Sequence, residues 1–207
     1  MSLVYTSSID PAAMLNIKII LGSTRPGRFS EQVAPWLARV CSEAQLDDTA
    51  VEVLDLRDYP MPFFDQSVLP SHVVDGAYGN EVVRAWAAKI READAFIIVA
   101  PEYDHGYPAV LKNALDSVYA EWNKKPVSFV SYGGVGGARS VEQLRLVSIE
   151  LQMVPIRAGV NIPNPWLLCD EKGVLKDGAL DQYTKVAEGM LTQLLWWGQM
   201  LKAAREV

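Results

Sequence analysis

The sequence predicts an α/β three-layer sandwich: a five-stranded parallel sheet with helices on both faces. Three observations carry this. From Asn16 onward, short apolar runs rich in β-branched residues alternate with longer stretches of helical spacing. Two of the runs, Ile17–Leu21 and Phe96–Ala100, are almost continuously apolar, as strands covered on both faces are. The order of the segments is βαβαβαβαβα, the pattern of a doubly wound sheet.

The strands are expected at Ile17–Leu21, Val51–Asp55, Ala95–Ala100, Val127–Ser131 and about Val154–Val160. The helices are expected at about Ser30–Gln45, Asn80–Glu92, Pro108–Trp122 and Ala138–Leu151, with a last amphipathic stretch from Leu180 to Arg205. Five strands and five helices fit the flavodoxin-like order 2-1-3-4-5. Residues 1–15 have no clear period and read as a loose leader; 16–207 read as one domain. Two longer connections break the rhythm. Leu56–Gly79 holds Pro60, Pro62, Pro70, Phe63 and Phe64, and Ile162–Gly178 holds Pro163, Pro165 and Trp166. Loops of that length in a small domain are either functional elements or irregular surface.

Composition bounds the function. Of 207 residues, 50% are hydrophobic and 21% charged, which excludes general disorder. The net charge of −6 argues against a nucleic-acid partner. Two cysteines, Cys41 and Cys169, make neither a disulfide framework nor a four-ligand zinc site, and two histidines, His72 and His105, make no histidine-rich metal site. The apolar runs fall well short of a membrane helix, and no basic segment leads an apolar stretch at the N-terminus. The class is a soluble globular protein, expected in the cytoplasm.

In an open parallel sheet, ligands bind beyond the carboxyl ends of the strands. Three loops there carry the chemistry. The first, Gly22-Ser23-Thr24-Arg25-Pro26-Gly27-Arg28-Phe29-Ser30, offers hydroxyls, two guanidiniums and a helix N-terminus, a fit for a phosphomonoester. It is neither a Walker A loop nor a dinucleotide fingerprint, and Ser30 also reads as a helix N-cap. The second, Pro101-Glu102-Tyr103-Asp104-His105-Gly106-Tyr107-Pro108, offers a wall for a flat polar ring. Glu102 reads more simply as a cap for backbone groups, and His105 as a contact residue rather than an acid or base. The third, Ser131-Tyr132-Gly133-Gly134-Val135-Gly136-Gly137-Ala138, has four glycines in five positions, which a ligand edge against the backbone or a tight turn would require. A phosphate site and two ring-wall loops at one edge suit a mononucleotide with a flat ring, FMN among them.

With these three motifs in order, the sequence resembles the NADPH-dependent FMN reductases, a flavodoxin-like family with quinone, azo-dye and chromate reductases. The resemblance covers about Asn16–Pro163 and includes Leu111-Lys112-Asn113-Ala114-Leu115-Asp116 after the second loop. It implies that Ser23, Arg25 and Ser30, with the backbone near Glu31 and Gln32, hold the FMN phosphate. It implies that Pro101, Glu102, Tyr103 and Asp104 lie along the ring and ribityl chain. Ser131, Tyr132, Gly133 and Gly134 then approach the ring's other side, their N–H groups facing its N1–C2 carbonyl edge. Hydride from NADPH, or NADH, passes through FMN to a small acceptor: a quinone, azo dye, metal oxyanion or free flavin. The cofactor supplies the chemistry, so no side chain is named as catalytic and no metal is expected.

The resemblance further implies a homodimer or homotetramer, for which Leu111, Leu115, Val118 and Tyr119 offer an apolar stripe that otherwise packs on the sheet. Arg28 and Arg139 are candidates for the NADPH 2′-phosphate or for solvated surface charge. Tyr59–Phe64 and Pro163–Trp166 are candidate roofs over the ring, whereas Trp196 and Trp197 read as packing or interface residues rather than substrate contacts. Relatives carry asparagine where this chain has Asp104. An ionised carboxylate there would lower the flavin potential, unless it is buried and protonated or paired with Lys112 or Arg139. Two other readings compete: a flavodoxin-like electron carrier that oxidises NADPH slowly, and a flavin-free binding module. A hydrolase finds no Ser-His-Asp order or metal cluster.

Overall fold

The computed structural model describes residues 14–44 and 48–206. Its strands are β1 (Leu15–Leu21), β2 (Thr49–Asp55), β3 (Ala95–Pro101), β4 (Pro126–Gly133), β5 (Val154–Pro155) and β6 (Val160–Pro163). Its α-helices are α1 (Ser30–Glu43), α2 (Glu81–Glu92), α3 (Ala109–Asp116), α4 (Ala138–Glu150) and α5 (Thr184–Arg205). The strands pair in parallel in the order β2-β1-β3-β4-β5, with β6 also on β4. This is the expected topology.

Strand alternation divides the apolar residues between two cores. Ile17, Ile19, Ile97 and Val99 face one side with Val33 and Leu37 of α1 and Met190 and Leu194 of α5. Ile20, Phe96, Ile98 and Ala100 face the other with Trp86 and Ile90 of α2, Leu111 and Leu115 of α3, and Leu144 of α4. All of β3 is buried, which is why its sequence is continuously apolar. Leu111, Leu115 and Val118 are fully buried in this second core and Tyr119 packs beside them, so the stripe covers the sheet and is not a subunit contact.

Four boundaries differ from expectation for local reasons. Asn80 is the cap of α2, its Oδ1 accepting from the N–H groups of Val82 and Val83 at 2.8 and 3.2 Å. α3 stops at Asp116, where Ser117 Oγ turns back to the Asn113 carbonyl at 2.6 Å; a short 3-10 turn at Ala120–Trp122 replaces the expected fourth turn. A 3-10 turn at Asp181–Tyr183 precedes α5. The expected fifth strand is two pieces: β5 pairs with Pro126 and Val127, and β6 with Val130–Gly133. Residues 156–159 span the stretch that Ser128 and Phe129 span on β4, a two-residue excess. Side chains satisfy its backbone: Arg145 Nη1 reaches the Ile156 carbonyl at 2.8 Å, Ser128 Oγ the Ala158 carbonyl at 2.7 Å, and Gln193 Oε1 the Ala158 N–H at 2.8 Å. Residues 1–13 of the expected leader and Gln45 of the expected first helix lie outside the described residues.

Candidate functional site

The ends of β1, β3 and β4 place the three loops beside one cleft of about 420 Å³, within the usual range for a small-molecule site. Arg25, Pro101, Glu102, Tyr103, Tyr132 and Gly133 line it.

The end of the cleft at the first loop is pre-built by the chain around it. Arg28 is not at the surface: it is 1% exposed, paired with Asp55 through Nη1 at 2.8 Å and through Nη2, and Nη1 also donates to the Ser23 carbonyl. Burial lowers the Asp55 carboxyl's tendency to ionise, but Arg28 and the Arg57 N–H outweigh it and hold its pKa below the usual value. Arg57 in turn donates to the Thr24 and Arg25 carbonyls at 3.2 and 3.0 Å and pairs with Glu31. Arg28 is therefore a strut of the loop and does not reach a dinucleotide phosphate.

Ser30 does not cap α1. Phe29 precedes the helix in α geometry with no side-chain cap, and Ser30 opens the helix, fully buried. Its hydroxyl and the buried hydroxyl of Tyr132 form no well-made hydrogen bond, although the two groups lie close enough to act on each other. Burial pushes the Tyr132 phenol up to about 12, partly offset by the Ser30 hydroxyl and N–H beside it. Two buried hydroxyls at a helix N-terminus with no well-made hydrogen bond are unusual in a folded chain and suit an external acceptor group such as phosphate. The N–H groups of Glu31 and Gln32 already donate to the Arg28 and Phe29 carbonyls, at 3.4 and 2.9 Å. Gln32's side chain points elsewhere: Nε2 donates to the Gly173 carbonyl at 3.1 Å and Oε1 accepts from Leu175 N–H.

The second loop is tied to the first and third. Tyr103 Oη meets Ser23 Oγ at 2.9 Å and accepts from Arg25 Nε at 3.4 Å. Glu102 accepts from the Arg139 N–H at 3.1 Å and from Arg139 Nε at 2.7 Å. Burial raises the Glu102 pKa, and Arg139 more than reverses that, leaving it lowered. Arg139 Nη1 donates to His105 Nε2 at 2.8 Å, since an arginine has nothing to accept with. Arg139 thus binds two residues of the second loop, and His105 Nε2 is occupied. The cap reading of Glu102 agrees with this geometry.

Asp104 sits at the tip of a two-residue hairpin. Tyr103 and Gly106 exchange N–H···O bonds at 2.8 and 2.9 Å, and Asp104 and His105 have φ of 50° and 65°. Aspartate tolerates that left-handed geometry, as asparagine does. Asp104 is exposed, and neither suggested partner reaches it: Lys112 pairs with Asp116, and Arg139 with Glu102.

In the third loop the chain itself explains two glycines. Gly137 has φ 75°, and a Cβ there would lie 2.7 Å from Ser131 Cβ; Gly136 has φ 70° and faces Asn161. Ser131 braces this turn, donating to the Gly136 carbonyl at 2.7 Å and accepting from Asn161 Nδ2 at 2.8 Å. Gly133 stays at the cleft, and Gly134 stands beside Trp166.

The outer wall is residues 165–173, beyond β6. Trp166 is 60% exposed, and Cys169, Asp170 and Glu171 complete the rim. Only Pro163–Trp166 of this wall was nominated by sequence; the rest carries no motif beyond the length of its loop. Trp196 is exposed on α5, edge-on to Trp197 at 5.0 Å. Tyr59–Phe64 lie outside the cleft, held against α3 by Asn113, which donates to the Pro62 carbonyl at 2.9 Å and accepts from Phe64 N–H at 3.0 Å.

The family model described as NADPH-dependent FMN reductase matches residues 15–166. An NAD(P)H-dependent FMN reductase of Schizosaccharomyces pombe is 39% identical over 149 residues, 71% of this chain and 73% of the relative. A 2-hydroxy-1,4-benzoquinone reductase of a Burkholderia species is 31% identical over 174 residues, 79% of this chain and 84% of the relative. In structure, the chain resembles FerB, a flavoenzyme NAD(P)H:(acceptor) oxidoreductase from Paracoccus denitrificans. The TM-score is 0.69 at 19% identity, covering 90% of this chain and 98% of that one, a likeness of fold.

Proposed function

The chain belongs to the NADPH-dependent FMN reductase family, and on that premise we propose that the 420 Å³ cleft is its flavin site. The chain is an NAD(P)H-dependent oxidoreductase that uses FMN. When bound, FMN accepts and passes on the hydride equivalent; every other task falls to the chain.

One observation supports the placement: the buried hydroxyls of Ser30 and Tyr132 lie near each other at the N-terminus of α1 with no well-formed hydrogen bond to any group, and Tyr132 and Arg25 both line the cleft. A phosphate there would accept from both and face the helix dipole. Ser23 reaches the same end through Tyr103, and Glu31 and Gln32 shape it without spending their N–H groups on it. Pro101, Glu102 and Tyr103 form one wall for the ring. Tyr132, Gly133 and Gly134 form the other, where absent side chains permit close approach. Asp104 lies outward of the ring wall, and Ser131 acts by fixing the glycine turn.

The acceptor is a small molecule, and we assign quinones as the first class to test, with azo dyes, metal oxyanions and free flavin behind them. We also infer a homodimer or homotetramer; Leu146 and Ile149, exposed one turn apart on α4, are apolar residues available for a contact. Light scattering tests that. No helix among the described residues is long and apolar enough to cross a membrane. Two free cysteines agree with a reducing compartment, and we propose the cytoplasm.

The experiment is an absorption spectrum after incubation with excess FMN and desalting, followed by anaerobic NADPH. A retained flavin band that bleaches rapidly is the expected result. A retained band that bleaches slowly would instead identify an electron carrier, and a colourless protein would overturn the assignment of the cleft.

A further inference from the structure

The two ends of the cleft carry opposite charge. Arg25 is the one cation among its described lining residues, and it stands at the phosphate end. Nearby guanidiniums are engaged: Arg28 with Asp55, Arg57 with Glu31, Arg139 with Glu102. At the outer wall stand Asp170 and Glu171. Asp170 is committed to its own turn, accepting from the N–H groups of Lys172 and Val174 at 2.9 Å each. Glu171 is exposed, and no ion pair or hydrogen bond is found for it among the described residues. Trp166, on the same wall, offers a flat apolar surface.

This wall is held in place. Gln32 ties its far side to α1 through Gly173 and Leu175, and Asn164 N–H ties its near side to the Gly133 carbonyl at 2.9 Å. The acids therefore stand at a fixed rim rather than on a free loop.

Resting on the flavin-site reading above, we propose that the Trp166–Glu171 wall makes the cleft select planar acceptors that are uncharged or cationic over anionic ones. A bound phosphate monoester compensates Arg25. What an incoming acceptor then meets along the lining is an aromatic plane and two carboxylates; the ammonium groups of the same segment, Lys172 and Lys176, are not among the lining residues, and Lys176 Nζ is turned to the Leu167 carbonyl at 3.1 Å. An uncharged quinone stacks without electrostatic cost, while a sulfonated one carries its charge toward Asp170 and Glu171.

The test compares kcat/KM of the FMN-loaded protein for 1,4-naphthoquinone and 1,4-naphthoquinone-2-sulfonate, with NADPH as donor. The dinucleotide is common to both assays, and the intrinsic reactivities of the two quinones cancel when their ratio is compared between variants and salts. The expected preference for the uncharged quinone shrinks several-fold between low salt and 0.5 M NaCl, on the order of the screening expected for exposed charges. Glu171→Gln narrows it about threefold and Glu171→Lys narrows it further, the scale of one exposed charge at close range. Trp166→Ala raises KM for both quinones. A ratio that ignores both salt and Glu171→Lys overturns the inference while the reductase reading stands. The salt series needs no variant, so it decides even if a substitution fails to fold. Retained FMN with no reduction of either quinone would instead count against the functional reading itself.

Discussion

Gln32, on the first turn of α1, donates through Nε2 to the carbonyl of Gly173, 141 residues further along the chain. Its Oε1 accepts from Leu175 N–H two residues later. The helix that opens at the first-loop end of the cleft thus also grips the opposite wall.

Gln32→Met keeps the length of the side chain and removes both bonds. The expected result is a five- to tenfold rise in the FMN dissociation constant, the scale of about 1 kcal/mol or slightly more for lost hydrogen bonds. Acceptor KM rises with it. Gln32→Glu accepts from Leu175 but cannot donate to Gly173, and falls between. Flavin fluorescence titration and acceptor kinetics measure both.

Arg28 and Asp55 are predicted to hold the Gly22–Ser30 loop through stability. Arg28→Met strands the carboxylate of Asp55 and leaves the Ser23 carbonyl without that donor, at a cost of about 3 kcal/mol. Adding Asp55→Leu removes the stranded charge and recovers part of the loss. Urea denaturation of the two variants gives the comparison.

Lys125 sets a pH dependence. It is buried at the C-terminal end of α2, where Nζ donates to the Ile90 and Arg91 carbonyls at 2.8 and 3.0 Å. Burial, reinforced by the nearby Arg205, pushes its pKa down to about 7 from 10.5. Between these values the unfolded chain binds the proton and the folded chain does not, so stability rises with pH across that window. The slope approaches about 1.4 kcal/mol per pH unit and is expected to vanish in Lys125→Met. Urea titrations from below neutrality to alkaline pH test it.

Two glycines should respond in opposite directions to alanine. At Gly137, φ is 75° and the new Cβ meets Ser131 Cβ at 2.7 Å and Tyr132 N at 2.8 Å, so Gly137→Ala should cost at least about 1–3 kcal/mol. At Gly189, within α5, nothing lies within 4 Å, and Gly189→Ala should stabilise by roughly 0.5–1 kcal/mol. Thermal melts of the pair separate the two causes.

The sheet was legible because its central strands are apolar on both faces, a pattern set by local sequence. The positions of the three loops followed from strand order. Side-chain partners did not follow. Arg28, in the first loop, and Arg139, in the first turn of α4, look alike in sequence as free guanidiniums, and only the fold shows that Asp55 and Glu102 occupy them. Ser30 had the residue type of a cap, but Phe29 precedes α1 already in helical geometry and Ser30 is buried as the first helical residue. The outer wall was hidden because its contacts span Gln32 to Gly173, with no periodicity to announce them.

The split between β5 and β6 gives the edge strand slack. Its two ends are registered on β4 separately, and the surplus between them is pinned by Arg145, Ser128 and Gln193 together with one backbone bond, from Ile156 N–H to the Val127 carbonyl at 3.0 Å. Length added or lost near Arg157 would be absorbed in that slack, because the four pairs of β6 fix where the chain leaves the sheet toward Trp166. The freedom is confined to the exposed Arg157, because Ile156 before it is buried in the core and a Cβ at Gly159 after it would meet the Phe129 carbonyl oxygen at 2.9 Å.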